Sequence, residues 1–224
     1  MDIYTNSMLK DWKTCKNKYW FKYIKKICIP QKENNFELGR KVHALISYYL
    51  NGFDTEFIEK TVSDEVLEHY KSILNHPFLK YKHFLSEWGF NVNIKNTDNL
   101  FVGRIDAIFY DEQNNKYFIA DWKTGMGIPK IPIAEPQAQI YLYAFFKTQK
   151  DLKINFKEED LSFTFIQTPT LKESSINFSK ELYEKFEDDF LTTINDINRY
   201  KYEKEFDESQ KCNYCEYKFM CQKQ

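Results

Sequence analysis

The sequence predicts a mixed α/β fold, a central sheet flanked by helices, and three observations carry that expectation. Helical patterns dominate the chain up to about Asn75. The middle then changes period, with runs at 86–95, 99–110 and 116–122 rich in aromatic and β-branched residues, as strands require. Beyond them, helix, strand and helix alternate, so the sheet must be covered by helices rather than closed on itself.

Residues 6–27 read as a helix, with Ser7 at its N-cap and Pro30 beyond its end. A second helix is expected from Glu37 to Leu50, and more helix to Asn75, where Pro77 breaks it. The stretch DEQNN, Asp111 to Asn115, is a turn that joins the last two middle strands as a hairpin. A loop from Gly125 to Pro136 leads into the helix QAQIYLYAFFK, then the strand LSFTFIQT at 161–168 and a long acidic helix over 179–204. With 224 residues, 42% hydrophobic, including 20 Phe and 16 Tyr, the chain can form one core unaided.

Charge narrows the function. The net charge of −1 excludes a uniformly basic nucleic-acid binder, so any phosphate-binding surface must be local. Between Lys10 and Lys41 there are ten Lys or Arg against three acids, with Trp and Tyr interleaved. That segregation offers cations for phosphates and rings for unpaired bases. Lys18, Lys22 and Arg40, with Arg104 near the hairpin, are the candidate DNA contacts. No apolar run reaches signal-peptide or membrane-span length, so a cytoplasmic protein without membrane partners is expected.

The hairpin carries the chemistry. Side chains alternate along a strand, so Asp121 and Lys123 of IADWKTG share a face while Trp122 points away. Asp106 of GRIDAIFY lies on the preceding strand, and the short turn can bring it to Asp121. Two adjacent carboxylates raise one another's pKa unless a cation intervenes. Hard oxygen ligands suit magnesium or manganese, which polarise a phosphoryl oxygen and lower the pKa of water. Lys123 would orient that water or offset charge developing on the phosphate. Taken alone, the hairpin is equally compatible with a solvated face bearing an ordinary salt bridge.

The tail KCNYCEYKFMCQKQ spaces Cys212, Cys215 and Cys221 as C-x2-C-x5-C. In a reducing compartment such clusters hold metal, and thiolates select zinc or iron–sulfur clusters. A fourth ligand is needed, and Cys15 and Cys28 are both candidates.

In order and spacing, GRKVHALI with His43, GRID with Asp106, DWK with Asp121 and Lys123, and QIYLY with Gln139 and Tyr143 resemble the PD-(D/E)XK nuclease superfamily, in its RecB-like branch. The resemblance implies a restriction-endonuclease-like sheet with catalytic residues Asp106, Asp121, Lys123, Gln139 and Tyr143. It implies a Mg2+ or Mn2+ held by His43, Asp106, Asp121 and the backbone carbonyl of Trp122, with Glu87 as a further ligand. Gln137 would replace Gln139 if the helix register were shifted. Iron–sulfur members of that branch, including helicase–nuclease subunits of the AddB type and the stand-alone nucleases of CRISPR adaptation, carry one cysteine before the core and three after it. That pattern implies a [4Fe-4S] cluster on Cys15, Cys212, Cys215 and Cys221, with Cys28 too late to join and a structural zinc as the alternative. Lys16 stands where a proline commonly follows the first cysteine.

One nuclease domain over 1–224 is expected: a cluster lobe from 1–30 and 205–224, a helical insert over 37–85, and a core over 86–204. The implied activity is a metal-dependent DNA exonuclease on single-stranded or free-ended DNA, acting in CRISPR spacer acquisition. A CRISPR integrase or a helicase would be its partner, since no G-x-x-x-x-G-K-[ST] loop supplies a motor. The rival is a non-catalytic iron–sulfur DNA-binding or assembly subunit. Oligomeric state and cleavage polarity are not legible.

Overall fold

The aromatic and β-branched runs pair into one six-stranded mixed sheet with helices packed on both faces. The computed structural model describes residues 1–30, 34–125, 127–201, 212–213 and 215–222.

The chain opens with β1 (Ile3–Tyr4) and α1 (Asn6–Thr14), capped by Thr5, whose hydroxyl accepts from Met8 N at 3.2 Å. The cap is therefore Thr5 rather than Ser7. The single helix expected over 6–27 breaks at Cys15, which is extended at φ −163° and ψ 115°. Its sulfur accepts from Lys18 N at 3.5 Å and so caps α2 (Lys16–Tyr19), which runs into a π-turn at Trp20–Ile24.

The helical insert follows as α3 (Asn34–Leu50), α4 (Glu56–Glu59) and α5 (Asp64–Leu74). The sheet proper begins with β2 (Lys82–Asn93), four residues before its expected start, then β3 (Leu100–Asp111) and β4 (Lys116–Lys123). Next come α6 (Pro136–Lys147), α7 (Gln149–Leu152), β5 (Leu161–Gln167), β6 (Lys172–Asn177), α8 (Lys180–Arg199) and α9 (Lys218–Gln222). The acidic helix thus stops at Arg199, short of 204. Residues 202–211, 214 and 223–224, which include much of the expected C-terminal lobe, lie outside the described residues.

The hairpin β2–β3–β4 is antiparallel throughout, β4 pairs parallel with β5, and β5 pairs antiparallel with β6. The β3–β4 ladder registers Ala107 to Asp111 against Lys116 to Ala120 and goes no further. Lower on the same edge, β1 pairs parallel with Leu100 and Phe101. The strands β3 and β4 therefore fork just before Asp106 and Asp121, the next positions in register.

Alternation along β4 separates two cores. Trp122 packs with Val42, Ile46 and Tyr70 of α3 and α5, while Tyr117 and Ile119 pack with α6 and α8. α6 is apolar nearly all round and buried accordingly. Gly103 of the GRID stretch faces the ring of Phe90: a Cβ there would lie 2.6 Å from the ring, so any larger residue requires the ring to shift.

Candidate active site

At the fork, three elements bring their polar side chains together. The β3 strand supplies Asp106, β4 supplies Asp121 and Lys123, and α3 lays His43 against the end of β4. His43 Nε2 lies 3.0 Å from the carbonyl oxygen of Trp122, and its Nδ1 lies 3.4 Å from Asp106 Oδ1 and 3.9 Å from Glu87 Oε1. Among the described residues, His43, Glu87 and Asp106 are the group that brings three candidate metal-ligand atoms within 4.8 Å of one another. Trp122 N–H donates to Asp106 Oδ2 at 3.0 Å, so this carboxylate takes the place of a ladder acceptor where the strands part.

Glu87 sits in the middle of β2 rather than at its start, opposite Asp106, with φ +48°. Left-handed backbone in a non-glycine strand residue is strained, and such strain persists where the surroundings enforce it, often at functional sites. Arg104 Nε pairs with Glu87 Oε2 at 2.7 Å and so belongs to the same cluster.

Beside them, Asp121 is 1% exposed, with Lys123 Nζ 2.6 Å from its Oδ2. Gln137 bridges the pair: its Nε2 donates to Asp121 Oδ1 at 2.6 Å and to Tyr141 Oη at 3.2 Å, while its Oε1 accepts from Lys123 Nζ at 2.8 Å. This corrects the expected register. Gln139 instead donates to Ile133 O at 2.7 Å and accepts from Lys13 at 3.2 Å, and Tyr143 donates to Asn93 O at 3.2 Å. Gln137 and Tyr141, two residues earlier on α6 than the expected pair and so on a different face of it, lie at Asp121.

The electrostatics of the cluster suit a divalent cation. Burial raises the Asp121 carboxyl pKa and Asp106 adds to it, against the pull of Lys123 and His43. Glu87 is raised by burial and then by Asp106, which outweigh Arg104 and His43. Burial opposes charge on His43, yet Asp106, Asp121 and Glu87 together raise its pKa to about 9. Three crowded carboxylates thus draw a proton onto the imidazole. The donor set of carboxylates, one carbonyl and one imidazole, with His43, Glu87 and Asp106 already offering ligand atoms within 4.8 Å of one another, fits a hard divalent ion such as Mg2+ or Mn2+.

The expected DNA contacts divide. Lys18 is bound to Asp11 and Glu216, each at 3.2 Å, and Lys22 to Asp11 at 2.8 Å. Both are thus held in ion pairs, within the N-terminal segment and, for Lys18, to the tail. Arg40 and Arg104 are exposed and line one groove beside His43. Cys15, Cys212, Cys215 and Cys221 do not gather within 4.8 Å as the His43 group does. Burial raises the thiol pKa of Cys221, and Cys15, Cys215 and Cys212 raise it further, so residues two hundred positions apart share one neighbourhood. Cys28 is exposed.

A forked hairpin bearing two aspartates and a D-x-K lysine, under a helix histidine, is the site of a nuclease acting through a divalent metal. The sequence matches the PD-(D/E)XK nuclease superfamily over residues 4–222, and the chain belongs to that superfamily. No curated protein matches the sequence. Among solved structures, a provisionally named exonuclease from Eubacterium rectale is similar at a TM-score of 0.52 and 11% identity, over 87% of this chain and 80% of that one. That likeness concerns the fold. A second structure, SSO0001, aligns over 96% of this chain and 93% of its own at 18% identity, but its TM-score of 0.40 is too low to argue from. Among the described residues no helix is long and apolar enough to cross a membrane.

Proposed function

We propose that this protein is a divalent-metal-dependent deoxyribonuclease that degrades single-stranded or free-ended DNA. The observation that carries the reading is the convergence of His43, Glu87, Asp106, Asp121 and the Trp122 carbonyl at the β3–β4 fork, with Lys123 beside them. Asp106, Asp121, His43, Glu87 and the Trp122 carbonyl would hold the ion. When bound, Mg2+ or Mn2+ supplies polarisation of the scissile phosphate and a lowered pKa for the attacking water. Lys123 is kept in place by Gln137 and lies 5.2 Å over the ring of Phe165, aimed to steady that water or the developing phosphate charge. Tyr141 accepts from the Gln137 amide and so holds it from behind.

In the same reading, Cys15, Cys212, Cys215 and Cys221 hold a [4Fe-4S] cluster that ties the N-terminal helices to the tail. The mutual influence of their thiols supports it. By its cysteine spacing, C-x2-C-x5-C after one early cysteine, this reading places the protein among the small iron–sulfur nucleases of CRISPR adaptation, with an integrase or helicase as partner. The rival, a non-catalytic DNA-binding subunit, has no need of a bridged Asp121–Lys123 pair.

The test is incubation of end-labelled single- and double-stranded DNA with anaerobically purified protein, in Mn2+, Mg2+ or EDTA. Metal-dependent shortening, lost in Asp121→Ala, is expected from brown, iron-containing protein. DNA binding without cleavage in either metal would establish the rival, and stoichiometric zinc without iron would replace the cluster.

A further inference from the structure

Among the described residues, five of the ten exposed large hydrophobic side chains fall between residues 36 and 57: Phe36, Tyr48, Tyr49, Phe53 and Phe57. Such concentration is what marks a binding surface, whereas scattered exposed apolar residues need no explanation. Two of the five, Phe36 and Tyr48, line a groove of about 610 Å3 whose floor includes His43 and Glu87 and whose walls carry Arg40 and Arg104. The groove is thus continuous with the candidate metal site.

The helix α3 sets the order along it. Phe36, Arg40, His43 and Ser47 follow helical spacing on one face, and Tyr48 stands at its edge. At 1.5 Å per residue, Phe36 and Tyr48 are about 18 Å apart along the axis, with His43 between them. That span equals about five nucleotides at the stacked spacing of roughly 3.4 Å per nucleotide. The two rings, 59% and 46% exposed, offer flat faces on either side of the metal ligands. Phe53 meets Tyr48 edge-on at 6.0 Å and steadies it. Among the described residues no carboxylate forms an ion pair with Arg40, which stands one turn from Phe36 and one from His43.

We propose that the α3 groove is a track for one DNA strand, in which Phe36 and Tyr48 stack unpaired bases on the two sides of His43 and Arg40 pairs with the phosphate between. This rests on the nuclease reading of the adjoining site and adds the substrate form that site accepts. Base–aromatic stacking needs a base free on one face, which a duplex interior does not offer, and it tolerates any sequence because every base has a π-face. The groove therefore selects unpaired over paired DNA, and does so without reading sequence.

The experiment is fluorescence anisotropy in EDTA, with the full chain, a labelled oligothymidylate, the same strand made of abasic sites, and a blunt duplex. Wild type is expected to bind the thymidylate more tightly than the abasic strand. Phe36→Ala/Tyr48→Ala should lose about tenfold or more on the thymidylate, the scale of stacking losses, and little on the abasic strand or duplex. Arg40→Gln should weaken all strands alike and lower the single-strand salt slope by about 0.7. Phe57→Ala, exposed but outside the groove, should change nothing. The inference is overturned if the double variant loses equally on all three probes or on none, or if wild type does not distinguish thymidylate from abasic strand. That last comparison needs no variant, so it holds whatever the substitutions do to folding. Mn2+-dependent cleavage of the same oligonucleotides is read in parallel. Stacking without cleavage removes the nuclease reading, and cleavage without stacking removes only the track.

Discussion

Replacing Gln137 by alanine separates the site from its near-repeat on the same helix. The side chain makes a 2.6 Å bond to Asp121 Oδ1 and a 2.8 Å bond from Lys123, both involving charged groups. Hydrogen bonds to charged groups are worth about 1.5–3 kcal/mol net. If one of these is realised mainly in the transition state, cleavage falls roughly ten- to a hundredfold at 1.36 kcal/mol per decade. Gln139→Ala removes bonds to Ile133 O and from Lys13, neither of which belongs to the cluster. It should cost about 1 kcal/mol of stability and leave the rate within a few-fold. The assay is single-turnover cleavage of a 5′-labelled strand at saturating Mn2+, with DNA affinity in EDTA and a thermal melt on each variant. The reasoning fails if Gln139→Ala loses the rate while Gln137→Ala keeps it, since α6 would then present its other register. It fails equally if Gln137→Ala cleaves at the wild-type rate, because the bridge would not matter to the reaction.

Three further outcomes are expected. Lys123→Ala should keep or tighten Mn2+ binding in titration calorimetry, because a cation leaves the site, while cleavage falls about a hundredfold or more; a wild-type rate would remove the hairpin from the chemistry. Gly103→Ala forces a methyl into the Phe90 ring and should lower stability by about 1–3 kcal/mol in urea unfolding, and an unchanged midpoint would show that the ring yields. His76 is buried, accepts at Nδ1 from Phe78 N and meets Glu173 through Nε2, and burial, set against Glu173, lowers its pKa. The unfolded chain therefore takes the proton first as pH falls, so this contribution is full above about 6.5 and lost below it. His76→Gln should flatten the fall in stability between pH 7 and 5 relative to wild type, and parallel curves would contradict the assignment.

The hairpin was legible because its strands are long, aromatic and joined by an unmistakable turn, and the aspartates could be placed by alternation alone. The register of α6 was not. Both Gln137–Tyr141 and Gln139–Tyr143 satisfy the same four-residue spacing, and an all-apolar helix gives no polar face to choose between them. Only the position of Pro136 against the fork decides, which is tertiary information. The strand β6, KESSIN, lacks an apolar alternation and exists through its pairing with β5. The break at Cys15 has neither glycine nor proline to announce it. The ion pairs of Lys18 and Lys22 with Asp11 cross the break at Cys15, so helical spacing alone does not announce them. The groove along α3 went unseen because a sequence shows apolar residues without showing which of them the core leaves out.

The fork between β3 and β4 makes Asp106 a splice as well as a ligand. Where the backbone rungs end at Ala107 and Ala120, its carboxylate receives the Trp122 N–H in their stead. An ion held by Asp106, Asp121 and the Trp122 carbonyl would cross the gap as one more rung, and occupancy and strand cohesion then become a single equilibrium. Amides near Trp122 should exchange more slowly with deuterium when manganese is present, by the factor that binding itself sets. Asp106→Asn, which keeps an oxygen for that N–H but surrenders the charge, should leave the splice intact and erase the slowing.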